Sequence, residues 1–185
     1  MVDDIYSETK SSMHKAIEAF QHEIAMVRTG RASASVLDGI RVEYYGSQMP
    51  LNQVATVGIP EPRLITIQPW DKSAIAPIEK AIQTSNLGLT PSNDGTIIRL
   101  PVPQLTEERR SELVKVVRGM GEDCKVSLRN ARRDANDLLK DGQKEGEIPE
   151  DAAKRGQDRV QKMTDEFVAS VDELITAKEE EIMEV

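Results

Sequence analysis

The sequence predicts an α+β fold: an antiparallel bundle of three long helices, with a small α+β unit inserted after the first of them. Three observations predict it. Residues 105–140 lack proline and set Leu113, Val117, Met120, Cys124, Leu128, Ala131, Ala135 and Leu138 at gaps of three and four, the spacing of one helix face. Two further stretches, one towards each end of the chain, repeat that spacing. Between the first and second stretches the pattern becomes short β-branched runs punctuated by Gly and Pro.

In chain order, residues 3–29 read as the first helix, with Met13, Ala16, Ile17, Phe20, Ile24 and Val27 on one stripe. Gly30 is placed to end it, and Arg28 falls in its last turn, where a cation suits the helix dipole. Residues 40–45 alternate and favour a strand, with a turn at Gly46-Ser47. Residues 54–57 and 64–68 are further strand candidates, broken by Gly58, Pro60 and Pro62. Ser73 can cap a short helix to about Ser85 with a stripe of Ile75, Ile78 and Ile82. Trp70 is expected to pack at a strand end and Asp71 to support that cap. Residues 96–100 read as a closing strand, and Pro101-Val102-Pro103 is stiff and extended. Thr106 can cap the long helix, with Glu107 and Glu108 in its positive first turn. Residues 141–147 read as a bend around Gly142 and Gly146. Pro149 then opens a helix whose stripe is Val160, Met163, Phe167, Val171, Leu174 or Ile175, and Ile182.

The bundle is thus expected over 1–30 and 105–185, and the inserted unit over 31–104. Two backbone crossings join them: Gly30, Arg31 and Ala32 on one side, Pro101, Val102, Pro103 and Gln104 on the other. Few of these residues are bulky, so the crossings are an expected interdomain hinge.

Charge sharpens the functional reading. The net charge is −8, which taken alone argues against nucleic acid. It divides as −2 over residues 1–104, +2 over 105–136 and −8 over 137–185. Residues 124–133 hold Lys125, Arg129, Arg132 and Arg133 and no acid. On a helical wheel Lys115, Arg118, Lys125, Arg129, Arg132 and Asn136 fall roughly 130° from the apolar stripe. One helix of ~50 Å therefore carries a packing stripe and a basic stripe. A basic stripe is ordinarily a solvated face. Planar guanidiniums beside Asn130 and Asn136 also suit phosphate oxygens, and A-form RNA read that way is recognised by shape.

Other motifs have plainer readings. Cys124 is the only cysteine, so no intrachain disulfide forms, and its place on the apolar stripe makes it a core residue. His14, Glu18 and His22 lie four apart but suggest no further ligand, so no metal is expected. There is no Gly-rich phosphate loop, H-E-x-x-H or C-x-x-C, and neither a cofactor nor catalysis is expected. The acidic N-terminus is unlike a secretory or transit signal, and no apolar run of ~18 residues occurs. A cytoplasmic protein without a membrane span is the expectation. Two alternatives stand: a coiled-coil adaptor or chaperone whose arginines meet only protein, and an enzyme built on the inserted unit, for which Arg63, Asp71 and Arg99 are scattered in sequence.

An ordered set of segments then carries a family resemblance. These are Arg28-Thr29-Gly30-Arg31-Ala32, Leu37-Asp38, Val42-Glu43-Tyr44-Tyr45-Gly46, Pro50-Leu51, Glu79-Lys80-Ala81-Ile82 and Leu87-Gly88-Leu89. Further along come Leu105-Thr106-Glu107-Glu108-Arg109-Arg110, Val117-Arg118-Gly119, Arg129-Asn130 and Arg132-Arg133-Asp134-Ala135-Asn136. Together they resemble the bacterial ribosome recycling factor family over nearly the whole chain. The resemblance implies a three-helix bundle with an inserted β/α/β sandwich domain, set as an L of transfer-RNA outline. It implies a monomer that acts after peptide release, binds the ribosome chiefly through large-subunit RNA, and splits it into subunits with elongation factor G, which hydrolyses the GTP. The RNA-contacting residues it implies are Arg110, Arg129 and Arg132, with Arg28 and Arg31 beside them. The charge pattern adds Arg118, Lys125 and Arg133.

Overall fold

The structure, a computed structural model, describes residues 1–184. In chain order its elements are α1 (Val2–Ala25), β1 (Arg41–Tyr44), β2 (Ser47–Pro50), β3 (Ala55–Glu61), β4 (Leu64–Pro69), α2 (Ile75–Thr84), β5 (Ser92–Asn93), β6 (Ile98–Pro101), α3 (Glu107–Lys144) and α4 (Glu150–Met183). They fall into two compact units, Met1–Thr29 with Glu107–Val185, and Gly30–Thr106. No helix among the described residues is long and apolar enough to cross a membrane.

The first unit is α1, α3 and α4 packed on one another. Ile5, Met13, Ile17, Phe20 and Ile24 of α1 are buried, as are Leu113, Val117, Cys124, Leu128, Ala135 and Leu139 of α3 and Val160, Met163, Val171 and Ile182 of α4. Each fully buried Leu or Ile among them stabilises the fold by roughly 1.5–3 kcal/mol. The expected stripe on α3 shifts near its end. Leu139 is buried and Leu138 is 51% exposed, because a straight helix at 3.6 residues per turn drifts against the seven-residue spacing of the earlier contacts. The helix also runs one turn into the expected bend, to Lys144. The N–H groups of Glu147 and Ile148 both return to the carbonyl of Gly142, which closes the turn into α4.

Gly119 and Gly121 sit inside α3 for different reasons. A Cβ at Gly119 would meet open space. One at Gly121 would collide with the side chain of Ile175, so this glycine makes room for α4 to pack against α3 there. The first helix is shorter than its periodicity suggests. It ends at Ala25, where the N–H groups of Met26 and Val27 bond three residues back. Thr29 is buried with its hydroxyl donating to Glu181 at 3.1 Å, and this draws the chain off the α1 axis. Arg28 therefore lies outside the helix, and Gly30, with φ +79°, does not cap it.

The second unit contains a β1–β2 hairpin and an antiparallel sheet of order β3-β4-β6-β5. Val42 pairs with Met49, Ile65 with Leu100 and Ile67 with Ile98. The inward faces of hairpin and sheet close over Ile75, Ile78 and Ile82 of α2 in one core. Several local expectations are corrected here. The hairpin turn is Tyr45-Gly46, not Gly46-Ser47: both residues have positive φ, 49° and 77°, as a two-residue turn matched to strand twist requires. The sequence around β2 and β5 gives no alternation, and neither strand was legible. β3 continues through Gly58 and Pro60 with a register shift before Glu61, which an edge strand tolerates because one side needs no donors. Asp71, not Ser73, makes the cap: its Oδ1 accepts the Ser73 N–H at 3.0 Å ahead of α2. Trp70 does not pack inside; it is 67% exposed, with its indole N–H donating to Thr56 at 3.0 Å.

Candidate nucleic-acid interface

Heptad spacing sets the chemistry of the flank of α3. Arg118, Lys125 and Arg132 are seven residues apart and so form one line along the helix. Glu179, Asp172 and Asp165 form a matching line on α4, read in the opposite direction. The guanidinium of Arg118 donates through Nε and Nη2 to the two carboxylate oxygens of Glu179, the latter bond 3.3 Å long. The Lys125 ammonium lies 2.5 Å from Asp172 and 3.5 Å from Glu122, and its side chain is only 16% exposed. Arg132 Nη1 donates to Gln161 at 3.2 Å, and Gln161 in turn donates to Asp165 at 2.9 Å. The bonds to Glu179 and Asp172 raise the pKa of Arg118 and of Lys125, so both stay charged.

The expectation that residues 124–133 hold unneutralised cations is therefore corrected in part. The acids come from α4 rather than from the local sequence, and Lys125 in particular is a seam residue rather than a surface one. Arg132 is half-buried but, among the described residues, engages one of its five N–H groups, with Gln161. Arg129 and Arg133 differ. They are exposed, one turn apart on the outward side of α3, and neither makes a hydrogen bond or ion pair within the described residues. Arg110 is half-buried in the first turn of α3, with its Nε buried and without a partner. Asn136 Oδ1, one turn beyond Arg132, is likewise buried without a donor. Arg28 belongs to the bundle unit and Arg31 to the inserted one, both exposed.

The crossings are tied to the inserted unit at one place. The Ala32 N–H donates to the Pro62 carbonyl at 2.7 Å, and the Val102 N–H to the neighbouring Arg63 carbonyl at 2.8 Å. Pro101 is the last residue of β6, opposite Leu64. A Cβ at Gly30 would stand 3.0 Å from Leu105 Cγ, so the first crossing lies against the residue that follows the second.

Other candidates resolve simply. Cys124 Sγ lies 3.6 Å from the Ala16 carbonyl, and burial, with the nearby Glu23 charge, raises its thiol pKa. His14 stands edge-on to Phe167 at 4.9 Å. Arg63, Asp71 and Arg99 do not converge: Arg99 pairs with Asp94 at 3.0 Å, and Asp71 is engaged by Tyr44 and Ser73. A shallow cleft of about 440 Å³ between the hairpin and α2 is lined by Arg41, Glu43, Gln48, Pro77, Lys80 and Thr84.

Sequence reasoning missed one cluster. Tyr44 and Tyr45 both donate to Asp71 Oδ2, at 2.9 and 3.4 Å, and their rings meet edge-on at 4.3 Å. The Ser73 and tyrosine hydrogen bonds hold the Asp71 carboxyl below the usual range, and the Tyr44 hydroxyl is pushed up to about 12 chiefly by its bond to Asp71. The available signal was Tyr-Tyr-Gly at a hairpin tip, in a chain with three tyrosines and one tryptophan.

Comparison with known proteins is consistent in direction. A family model described as Ribosome recycling factor matches residues 20–183. The ribosome-recycling factor of Carboxydothermus hydrogenoformans is 56% identical over 185 residues, covering all of both chains. That of Natranaerobius thermophilus is 58% identical over 181 residues, 98% of each. Among solved structures, a solution structure of the ribosome recycling factor matches with a TM-score of 0.76 at 43% identity, covering 100% of this chain and 98% of that one. A model of the T. thermophilus factor, bound with E. coli elongation factor G to the E. coli post-termination complex, matches at 0.64 and 47%, covering both chains fully.

Proposed function

Because this chain belongs to the ribosome recycling factor family, a family of translation factors that are not enzymes, we propose that it acts in the cytoplasm as a monomer on the post-termination ribosome and splits it into subunits. The bundle docks by its cationic α3 flank on ribosomal RNA, chiefly of the large subunit. Elongation factor G displaces the inserted unit and supplies the free energy by hydrolysing GTP. The observation that carries the docking step is the pair Arg129 and Arg133, exposed and without acceptors among the described residues, on a chain whose net charge is −8. A cation with no internal partner gives its full charge-assisted bonds to an outside phosphate. Arg132 joins them through the N–H groups that Gln161 leaves unused. Arg110, half-buried at the start of α3, contributes the same donor chemistry.

Arg118 and Lys125 hold α3 to α4 and keep the rod in register while load passes through it. Ala32, Pro101 and Val102 are bonded into the inserted unit and move with it, so rotation at the crossings falls outside these three residues.

The test is breakdown of post-termination polysomes by the purified chain. Breakdown that requires both elongation factor G and GTP supports the reading. Breakdown by the chain alone would remove the partner from the mechanism, and none with both present would remove the function.

A further inference from the structure

The Tyr44–Tyr45–Asp71 cluster has the properties of a recognition surface, and the proposed function leaves it without a role. Tyr45 is 81% exposed and Trp70, the residue before Asp71, is 67% exposed. Large aromatics so exposed are unusual in a chain with this few of them, and exposed Trp and Tyr are over-represented among residues that dominate interfaces. Tyr45 also has a positive φ of 49°, which a residue with a bulky side chain adopts only when the surroundings enforce it.

The rings are held rather than loose. The Tyr44 and Tyr45 hydroxyls share one carboxylate oxygen of Asp71, the other oxygen caps Ser73, and the Trp70 indole is pinned to Thr56. Held rings lose little freedom when something lands on them.

The hydrogen-bond inventory specifies what can land. Both tyrosine O–H groups and the indole N–H already donate within the unit. What remains is acceptors only: tyrosine oxygen lone pairs, an ionised carboxylate and aromatic faces. A phosphate brings acceptors and negative charge, so it finds neither partner nor favourable potential. A guanidinium or ammonium brings donors, positive charge and affinity for π-faces. None of the chain's own cations has taken this position, since the described ion pairs and cation–π contacts do not involve these rings or Asp71.

We propose that this aromatic and carboxylate platform docks an arginine- or lysine-bearing loop of a protein partner in the ribosomal complex. The partner class follows from the donor-free chemistry, while the setting rests on the function proposed above. A full-length chain carrying a benzophenone side chain at position 45 is bound to post-termination ribosomes with elongation factor G, irradiated, and its crosslinks are mapped by mass spectrometry. The expected product is a crosslink to a protein segment containing arginine or lysine. A crosslink to ribosomal RNA or to a segment without basic residues overturns the proposal, as does none from ribosomes that retain the chain. Failure of the unmodified chain to co-sediment with ribosomes would instead remove the functional reading. In parallel, Trp70→Ala and Tyr45→Ala, each checked for unchanged thermal unfolding, are expected to slow ribosome disassembly by about tenfold while ribosome co-sedimentation holds. Wild-type disassembly rates in both variants would overturn the proposal even if the photoreactive chain misfolded.

Discussion

Arg118 and Arg129 lie about three turns apart on one helix and carry the same charge, yet after folding they are different groups. The first is gripped through two N–H groups by Glu179, a residue 61 positions away in sequence. The second meets no acceptor among the described residues. Lys125 belongs with the first, Arg133 with the second, and Arg132 stands between, with one N–H engaged. The seven-residue repeat on α3 meets a seven-residue acidic repeat on α4: Arg118 and Lys125 are paired directly and Arg132 reaches Asp165 through Gln161. Arg129 and Arg133, off that line, have no such partner among the described residues. Acids counted in a local window therefore misjudge which cations are available; the antiparallel neighbour decides. A paired cation facing phosphate must exchange one anion for another and gains little, whereas an unpaired one gains the whole contact.

Removing the outward pair gives the largest expected effect. Arg129→Ala with Arg133→Ala is expected to weaken ribosome binding by about a hundredfold, about tenfold per charge-assisted bond, with helicity unchanged. The salt dependence of binding should flatten by about one unit of slope per arginine. Co-sedimentation over a series of salt concentrations reads both. Equal affinity for the variant and the wild type would break the contrast between the two faces.

The seam gives the next effect, and on stability rather than binding. Gly121→Val forces a side chain into Ile175 and is expected to destabilise the bundle by about 1–3 kcal/mol. Gly119→Ala, two residues away and facing open space, is expected to stabilise it by about 0.5–1 kcal/mol through helix propensity. Denaturant unfolding followed by helicity distinguishes the two signs. Two changes of like sign would mean that α3 and α4 are not as close at Gly121 as the packing requires.

These contrasts also mark what was legible beforehand. The helices could be read because a 3.6-residue period persists over many turns in α1, α3 and α4, and local errors average out. The α1 terminus could not, since it is set by Thr29 reaching Glu181 at the far end of the chain. The role of Gly121 was unreadable for the same reason: its need is created by Ile175, not by its neighbours. In the inserted unit the strands at 41–44, 64–69 and 98–101 announced themselves by β-branched alternation. The turn at Tyr45-Gly46 did not, because a tyrosine at positive φ runs against preference and only the hairpin's twist demands it. Of the basic residues, charge and periodicity located the cationic helix and could not divide it into a paired and an unpaired face.

The smallest expected effect tests that division most directly. Glu179→Gln leaves the shape of the Arg118 contact almost unaltered and removes its charge. If Arg118 serves the seam alone, its freed guanidinium still points at α4 and ribosome affinity stays at the wild-type value. If the seam cations lie within reach of phosphate, relief from Glu179 lets Arg118 engage it, and affinity rises by about threefold, the scale of one exposed ion pair. Arg118→Met separates these outcomes, because it abolishes any such gain when combined with Glu179→Gln and leaves a seam-only variant unaffected. The geometry favours no change in affinity: Arg118 makes both of its bonds towards α4, whereas Arg129, on the same helix, makes none among the described residues. A threefold gain that vanishes in the double variant would extend the proposed RNA-binding surface round the helix to Arg118, and the line between grip and seam would have to be redrawn at Lys125, whose side chain is 16% exposed against 64% for Arg118.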